Sequence, residues 1–556
     1  MNRNEINRFA TNPTNLDISR SLFNRDHKML FSANVGECIP FYLDQDVLPG
    51  DTFKIETSKV VRLQPLVTPI MDNLYLDTYY FFVPNRLVWS HWKEFMGENT
   101  DSAWVPEVEY TVPQLTVPSG GFDVGTIADY LGVPPKAGAG KTISALPFRA
   151  YALIMNEWFR DENLMNPVHV HVDDTTRTGV NTSDQVTDIE LGGKPFIACK
   201  YFDYFTSALP GAQKASGPMV EFALNGLLPV NAYSGKSSIN VGDSVGSFGT
   251  ITGLNSQSGT FANISGLHDL GVADNSLFVE SNYTAQGTGQ FSPSNLFADL
   301  NNTSIFDINS LRQAFAIQRY YERLARGGSR YTEMIKSFFN VESPDSRLQR
   351  PELLGAHRLP LNVSSVEQTS ATETDLTPQG NLTGISHTGD VHGDFVKSFT
   401  EHGIIIGIAV VRYHHTYQQG LARGWSRKTK FDFYNPVFAN LGEQAVMENE
   451  IYFDSASNNV FGYQEAWADY RYSPSRVAGE MRSVATTPLD MWHLADNYSS
   501  QPYLSAEWIR EDKSMLDRCL AVTSEVSNQY FADFYIKNEC ARPMPLYSIP
   551  GLIDHH

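Results

Sequence analysis

Two groups of residues carry cations at spacings that could meet a polyanion. In SLRQAFAIQRYYERLAR, Arg312, Arg319, Arg323 and Arg326 follow one another at intervals of seven, four and three residues. On a helix this gathers them into one narrow stripe, opposed only by Glu322. The second group, QGLARGWSRKTKF, holds Arg423, Arg427, Lys428 and Lys430 with no acid among them and with Trp425 interleaved. Cations for phosphates and a flat ring for a base are the combination that single-stranded nucleic acid favours. A charge run is more often a solvated or subunit-pairing face, and for the helical stripe that reading stands beside the first.

Catalytic and metal-binding chemistry finds less support. HVHVDD (169–174) puts His169 and His171 on one face of a strand, but Val170 and Val172 on the other make an ordinary edge strand the better reading. AGAGKT (137–142) resembles a phosphate loop, yet Pro135 stands where that loop needs Gly, and no apolar strand leads into it. His414 and His415 are adjacent and so face opposite sides of a strand. Neither an HExxH nor a CxxC pattern occurs. Cys38, Cys199, Cys519 and Cys540 are distant and unpatterned, which implies neither a zinc site nor a disulfide framework and fits assembly in a reducing cytoplasm. The expectation is a protein without catalytic residues, metal or cofactor.

The elements that must position the cations are mostly strands. LYLDTYYFFV (74–83) places Leu74, Leu76, Thr78, Tyr80 and Phe82 on one face and Tyr75, Asp77, Tyr79, Phe81 and Val83 on the other. Both faces are apolar, with Asp77 the only charge. In HGIIIGIAVVRYHHTY (402–417), Ile404, Ile406, Ile408 and Val410 share one face. Gly403, Ile405, Gly407, Ala409 and Val411 share the other, where small residues let a second layer come close. Leu74, Tyr80, Phe82, Ile405 and Ile406 are therefore core candidates. FKIETSKVVRLQ (53–64) and FIACKYFDYF (196–205) read as further strands. Many strands with few βαβ alternations point to a mainly β protein, a sandwich or jelly roll. Two helices interrupt it. LVWSHWKEFMGEN carries Trp89, Trp92, Lys93 and Met96 on one stripe with Gly97 as its cap. In the Arg-bearing helix, Ser310 and Gln313 have capping-box spacing, and Gly327 and Gly328 end it.

The chain has 556 residues, 42% of them hydrophobic, and a formal net charge of −20. That charge argues against coating nucleic acid by bulk attraction, so any such contact is local. The longest apolar run, 403–411, is too short to cross a bilayer. MNRNEINRFATNPTNLDISR lacks an apolar signal-peptide core and reads as a polar, extended arm. The arm is assigned to residues 1–35 and carries Arg3, Arg8, Arg20, Arg25 and Lys28. Residues 211–302 turn rich in Gly, Ser, Asn and Thr, with no Arg between Asn231 and Leu300. Phe248, Ile251, Leu254, Phe261 and Ile264 recur there at spacings that suit short strands. The segment reads as a surface insertion between body segments 36–210 and 303–556.

Several blocks are similar to the major capsid proteins of microviruses, small icosahedral phages with circular single-stranded DNA, and specifically to the gokushovirus branch. They are IPFYLDQDVLPGDTFKI, MDNLYLDTYYFFVPNRLVWSHWKEFMGEN, INSLRQAFAIQRYYERLARGGSRYTE with SPDSRLQRPELLG, EHGIIIGIAVVRYHHTYQQGL and the terminal YSIPGLIDHH. The resemblance covers nearly the whole chain except 211–302 and parts of 360–395 and 450–490. It implies an eight-stranded antiparallel jelly-roll β-barrel with long interstrand loops and a T=1 shell of sixty copies around the DNA. It also implies assembly in the host bacterial cytoplasm with an internal scaffolding protein, a DNA pilot protein and a small basic DNA-binding protein. Residues 211–302 are then the counterpart of a protrusion at the three-fold axes, expected to meet a host cell-surface receptor. On this reading the two basic clusters and the arm cations face the genome, with salt bridges between subunits as the alternative. Without the resemblance the rival is a jelly-roll carbohydrate-binding or glycoside hydrolase protein. The adjacent Asp173 and Asp174 are poor geometry for its carboxylate pair.

Overall fold

A strand that is apolar on both faces needs cover on both sides, and Leu74–Pro84 receives it. The computed structural model describes residues 19–98, 108–214, 308–328 and, with gaps at 371, 373–377 and 456–457, residues 330–547; between 230 and 298 it describes short strand backbones only. The chain divides into two compact units, residues 1–214 with 322–556 and residues 215–321. The larger unit is mainly β. Its principal strands are β1 (Ser21–Asn24), β2 (His27–Ala33), β3 (Ile39–Val47), β4 (Thr52–Leu63), β5 (Leu74–Pro84), β6 (Glu352–Leu361), β7 (Thr388–Ser398), β8 (Gly403–Tyr413) and β9 (Tyr530–Arg542).

These strands form an antiparallel β-sandwich. One sheet runs β2–β9–β4–β7, with β1 pairing farther along the edge of β9 that β2 occupies. The other runs β3–β8–β5–β6. Residues assigned to an arm are thus sheet strands from Ser21 onward, held because Phe31 and Ala33 reach the core. Between the sheets, the Phe41 ring centroid lies 4.9 Å from that of Phe534 and 5.3 Å from that of Tyr80. Gly407 makes this possible, since a Cβ there would come within 2.9 Å of the Phe41 ring. Leu74, Tyr80, Phe82 and Ile405 are all buried in this core.

A third layer, residues 85–205, covers the other face of the β3–β8–β5–β6 sheet. Its helix α1 (Leu146–Ile154) and neighbouring loops bring Trp89, Phe148, Tyr151 and Phe196 against Phe81, Val83, Ile404 and Ile406. Tyr151 Oη ties it down by donating to the Cys38 carbonyl at 2.7 Å, and within the layer the buried Arg149 donates to the Asp173 carbonyl at 2.8 Å. All four cysteines are free and buried.

The third layer also explains where local expectation differs from structure. LVWSHWKEFMGEN is two short helices, Asn85–Val88 and Trp92–Phe95, not one. The break falls at Trp89, whose buried indole donates to Asp174 at 2.5 Å. Gly97 does close the second helix, at φ +100°. FIACKYFDYF forms no strand, because its backbone bonds alternately to residues 36–38 and 509–511 and completes a ladder with neither. HVHVDD is irregular chain in which the His171 backbone and ring both bond Glu190. Helix α2 (Ile308–Gly327) begins ahead of Ser310, which therefore lies inside the first turn rather than capping it.

Asp77 is 1% exposed, and it faces the third layer. Its cross-strand neighbour on β6 is Arg358, whose Nε donates to Oδ1 at 2.7 Å. Arg412 on β8 and the Tyr201 hydroxyl each donate to Oδ2 at 2.7 Å. Burial works against the charge, but the hydrogen bonds from Arg358 and the nearby Arg412 outweigh it and hold the carboxyl below its ordinary range. Asp77→Ala would strand Arg412 in the interior without a counter-charge. We expect it to lose about 3–5 kcal/mol of stability, seen as a fall in the urea midpoint of the soluble chain. Arg358→Gln, at the half-exposed end of the cluster, should cost less.

Candidate nucleic-acid interface

The four arginines of the α2 stripe are all exposed, but they are not equivalent. Arg326 Nε donates to Glu443 at 2.8 Å, and Arg323 donates to the Ser337 carbonyl at 2.6 Å. Arg312 and Arg319 have no ion-pair partner among the described residues. The arm cations are similarly committed. Arg25 pairs with the buried Asp44, Lys28 lies 2.7 Å from Asp533, and Arg20 donates to Thr52 Oγ1 at 2.8 Å. Arg3 and Arg8 lie outside the described residues, as do Leu254, Phe261 and Ile264. Phe248 and Ile251 bound a short strand, Phe248–Ile251, that pairs with Ile239–Gly242. Among the described residues no three His, Cys, Asp or Glu side chains converge as a metal site.

The second cluster hangs from the end of β8, and a buried charge network fixes where the chain leaves the sheet. The His415 imidazole lies 2.8 Å from Asp496 Oδ1 and 3.0 Å from Glu511 Oε2. Lys200 Nζ and the Tyr498 hydroxyl meet the other Asp496 oxygen at 3.4 and 2.8 Å. Burial opposes a charged ring, but the two carboxylates outweigh it and raise the His415 pKa to about 9. Two residues on, the Tyr417 hydroxyl donates to Asp203 at 2.8 Å.

Beyond Tyr417 the chain wraps a cavity of about 570 Å³. Tyr204, Phe205 and Tyr417 are its buried aromatic lining, with Tyr472 stacked on Tyr204 at 5.0 Å and 6°. Arg423 donates to the Ala445 carbonyl at 3.0 Å and lies 3.4 Å from Glu450, which also accepts from the Tyr204 hydroxyl at 3.0 Å. Burial raises the Glu450 carboxyl above its ordinary value. Arg427 pairs with Asp469 and lies over the Tyr470 ring at 4.4 Å. Trp425, 79% exposed, stands at the rim, and Lys428 and Lys430 are exposed beyond it.

The sequence cluster is therefore a real spatial cluster, but two of its cations are already neutralised within the chain. Five further lining residues, Tyr204, Tyr470, Tyr472, Arg476 and Arg482, were missed. The stretch YRYSPSR (470–476), with its alternating aromatic and cationic residues, was the available signal.

Residues 11–552 match the phage family described as capsid protein (F protein). The chain is 44% identical to capsid protein VP1 of Spiroplasma virus 4 over 541 residues, covering 96% of each. It is 40% identical to capsid protein VP1 of Chlamydia phage 1, covering 98% of each. It is 38% identical to capsid protein VP1 of Bdellovibrio phage phiMH2K, covering 99% of this chain and 98% of that one.

The raised His415 pKa makes the anchor sensitive to alkali. Its contribution, on the order of 3 kcal/mol from the shift, is complete below the unfolded value near 6.5 and is lost as pH climbs through about 9. Denaturation midpoints between pH 6 and 10 should fall across that window for the natural chain. His415→Gln should be less stable at pH 6 and should lack that component of the fall.

Proposed function

The chain belongs to the phage capsid protein (F protein) family and is a virion component, and from that premise we propose that it folds as an eight-stranded jelly roll and assembles as sixty copies into a T=1 shell around circular single-stranded DNA. The observation that carries this reading is the strand order, β2–β9–β4–β7 over β3–β8–β5–β6. Successive strands from β2 to β5 and from β6 to β9 alternate between the two sheets, which supports the wrapping of two Greek keys expected of a jelly roll.

Contact with DNA is carried by few side chains. Among the described cations of the proposed set, Arg25, Lys28, Arg326, Arg423 and Arg427 pair with acids of the same chain and Arg20 and Arg323 bond to Thr52 and the Ser337 carbonyl, which leaves Arg312, Arg319, Lys428 and Lys430 free. Separate cationic partners, a small basic DNA-binding protein among them, then supply most of the neutralisation that a chain at −20 cannot. Replacing those four residues together by Gln should leave shells intact in negative-stain images and lower the DNA retained after a salt wash. Loss of shells with DNA binding unchanged would assign them to subunit contacts.

Residues 211–302 are proposed as the surface protrusion used in host attachment. Support comes from composition and from the separation of 215–321 as its own unit. Loop-closure entropy grows only logarithmically with length, so exchanging 234–292 for a short Gly/Ser bridge should not unfold the sandwich. Particles of this variant should lack three-fold projections and fail to adsorb to cells. Normal adsorption without projections would remove the receptor role.

A further inference from the structure

We propose that the cavity beside Trp425 receives one unstacked nucleobase of single-stranded DNA, with Arg476 against a flanking phosphate. The proposal rests on the reading that this chain encloses DNA, and it names the group that chain meets and the place. Three observations support it. First, the cavity size falls within the roughly 300–1,000 Å³ of small-molecule sites, and its lining is aromatic, as a base requires. Second, Trp425 is 79% exposed at the rim and has no aromatic ring partner among the described residues, so its indole is available to stack on a base.

Third, the polar inventory suits an anion carrying a hydrogen-bonding edge. Arg423, Arg427, Arg476 and Arg482 line the cavity with Glu450 and Asp469, an excess of cations in a chain whose net charge is −20. Arg476 is exposed, with no ion-pair partner among the described residues.

The test uses the full-length soluble chain with two fluorescein-labelled oligonucleotides of equal length, an oligo-thymidylate and its abasic counterpart, followed by anisotropy at low salt. The natural chain should bind the base-bearing strand more tightly. Trp425→Ala should weaken that binding roughly tenfold, the range expected for one stacked base, and leave the abasic strand unaffected. Trp425→Phe should recover most of the loss. Equal binding of both strands by the natural chain, or no effect of Trp425→Ala, overturns the pocket. If the Arg312, Arg319, Lys428 and Lys430 variant still weakens both strands in that case, the enclosure reading survives alone; if neither strand binds the natural chain, that reading falls too. Base-dependent binding that persists in Trp425→Ala while shells fail to form would mean that the cavity takes a neighbouring subunit's side chain, and would also overturn the proposal.

Discussion

A carboxylate almost without access to water, clamped by two guanidiniums, ties the β3–β8–β5–β6 sheet to the layer that covers its outer face. Asp77 lies on the middle strand of three, opposite Arg358 on β6 and beside Arg412 on β8. A one-residue slip of β6 against β5 would send the Arg358 guanidinium to the sandwich core and take one of its two guanidiniums from the buried Asp77, so the cluster enforces the register that the apolar pattern proposes. Tyr201 extends the constraint to the third layer, because its hydroxyl binds Asp77 and its ring lies 4.4 Å from both guanidiniums. Sheet register and the docking of residues 85–205 are thus coupled through one ion cluster.

The same economy runs through the rest of the charged residues. A chain at −20 has few cations to spare, and the larger unit uses many of them internally, at Asp44, Glu443, Glu450, Asp469 and Asp533. Position in a basic run is therefore a poor guide to what a cation does. Arg427 and Lys428 are neighbours in sequence, yet the first is locked against Asp469 and Tyr470 while the second stands in solvent. What the cluster keeps is its shape, an aromatic cavity rimmed by positive charge.

Features governed by local pattern were legible in the sequence, and features decided by a distant partner were not. The period-two alternation of 74–83 and 403–411 predicted two strands covered on both faces, and burial of Leu74, Phe82, Ile405 and Ile406 follows it. The break in the Trp89 helix was invisible because it is set by Asp174, 85 residues away. Arg25 read as a free arm cation because nothing near it announces Asp44. Trp425 could be singled out from its immediate neighbours, whereas Tyr204 and Tyr472 come together only because the fold stacks them. The strand-like 196–205 failed for a related reason: its alternation was real, but its partners are divided between two segments.

The surface carries a further consequence of assembly. Trp425, Phe431, Phe433, Val437 and Leu441 are 79%, 62%, 52%, 83% and 55% exposed within one short stretch, and Val484 and Val526 exceed this elsewhere or nearly match it at 87% and 80%. A protein that ended as a monomer would have little reason to keep so many large apolar groups in water along one segment. In a shell, copies that each carry −20 repel one another, and burial of such groups is the non-directional attraction available to overcome that repulsion. Salt shortens the range of the repulsion while leaving apolar contact intact, yet it weakens every phosphate contact. On the proposed reading that the shell encloses DNA, holding the shell together and holding the DNA draw on interactions with opposite salt dependence, and the cavity beside Trp425, part aromatic and part cationic, combines both chemistries.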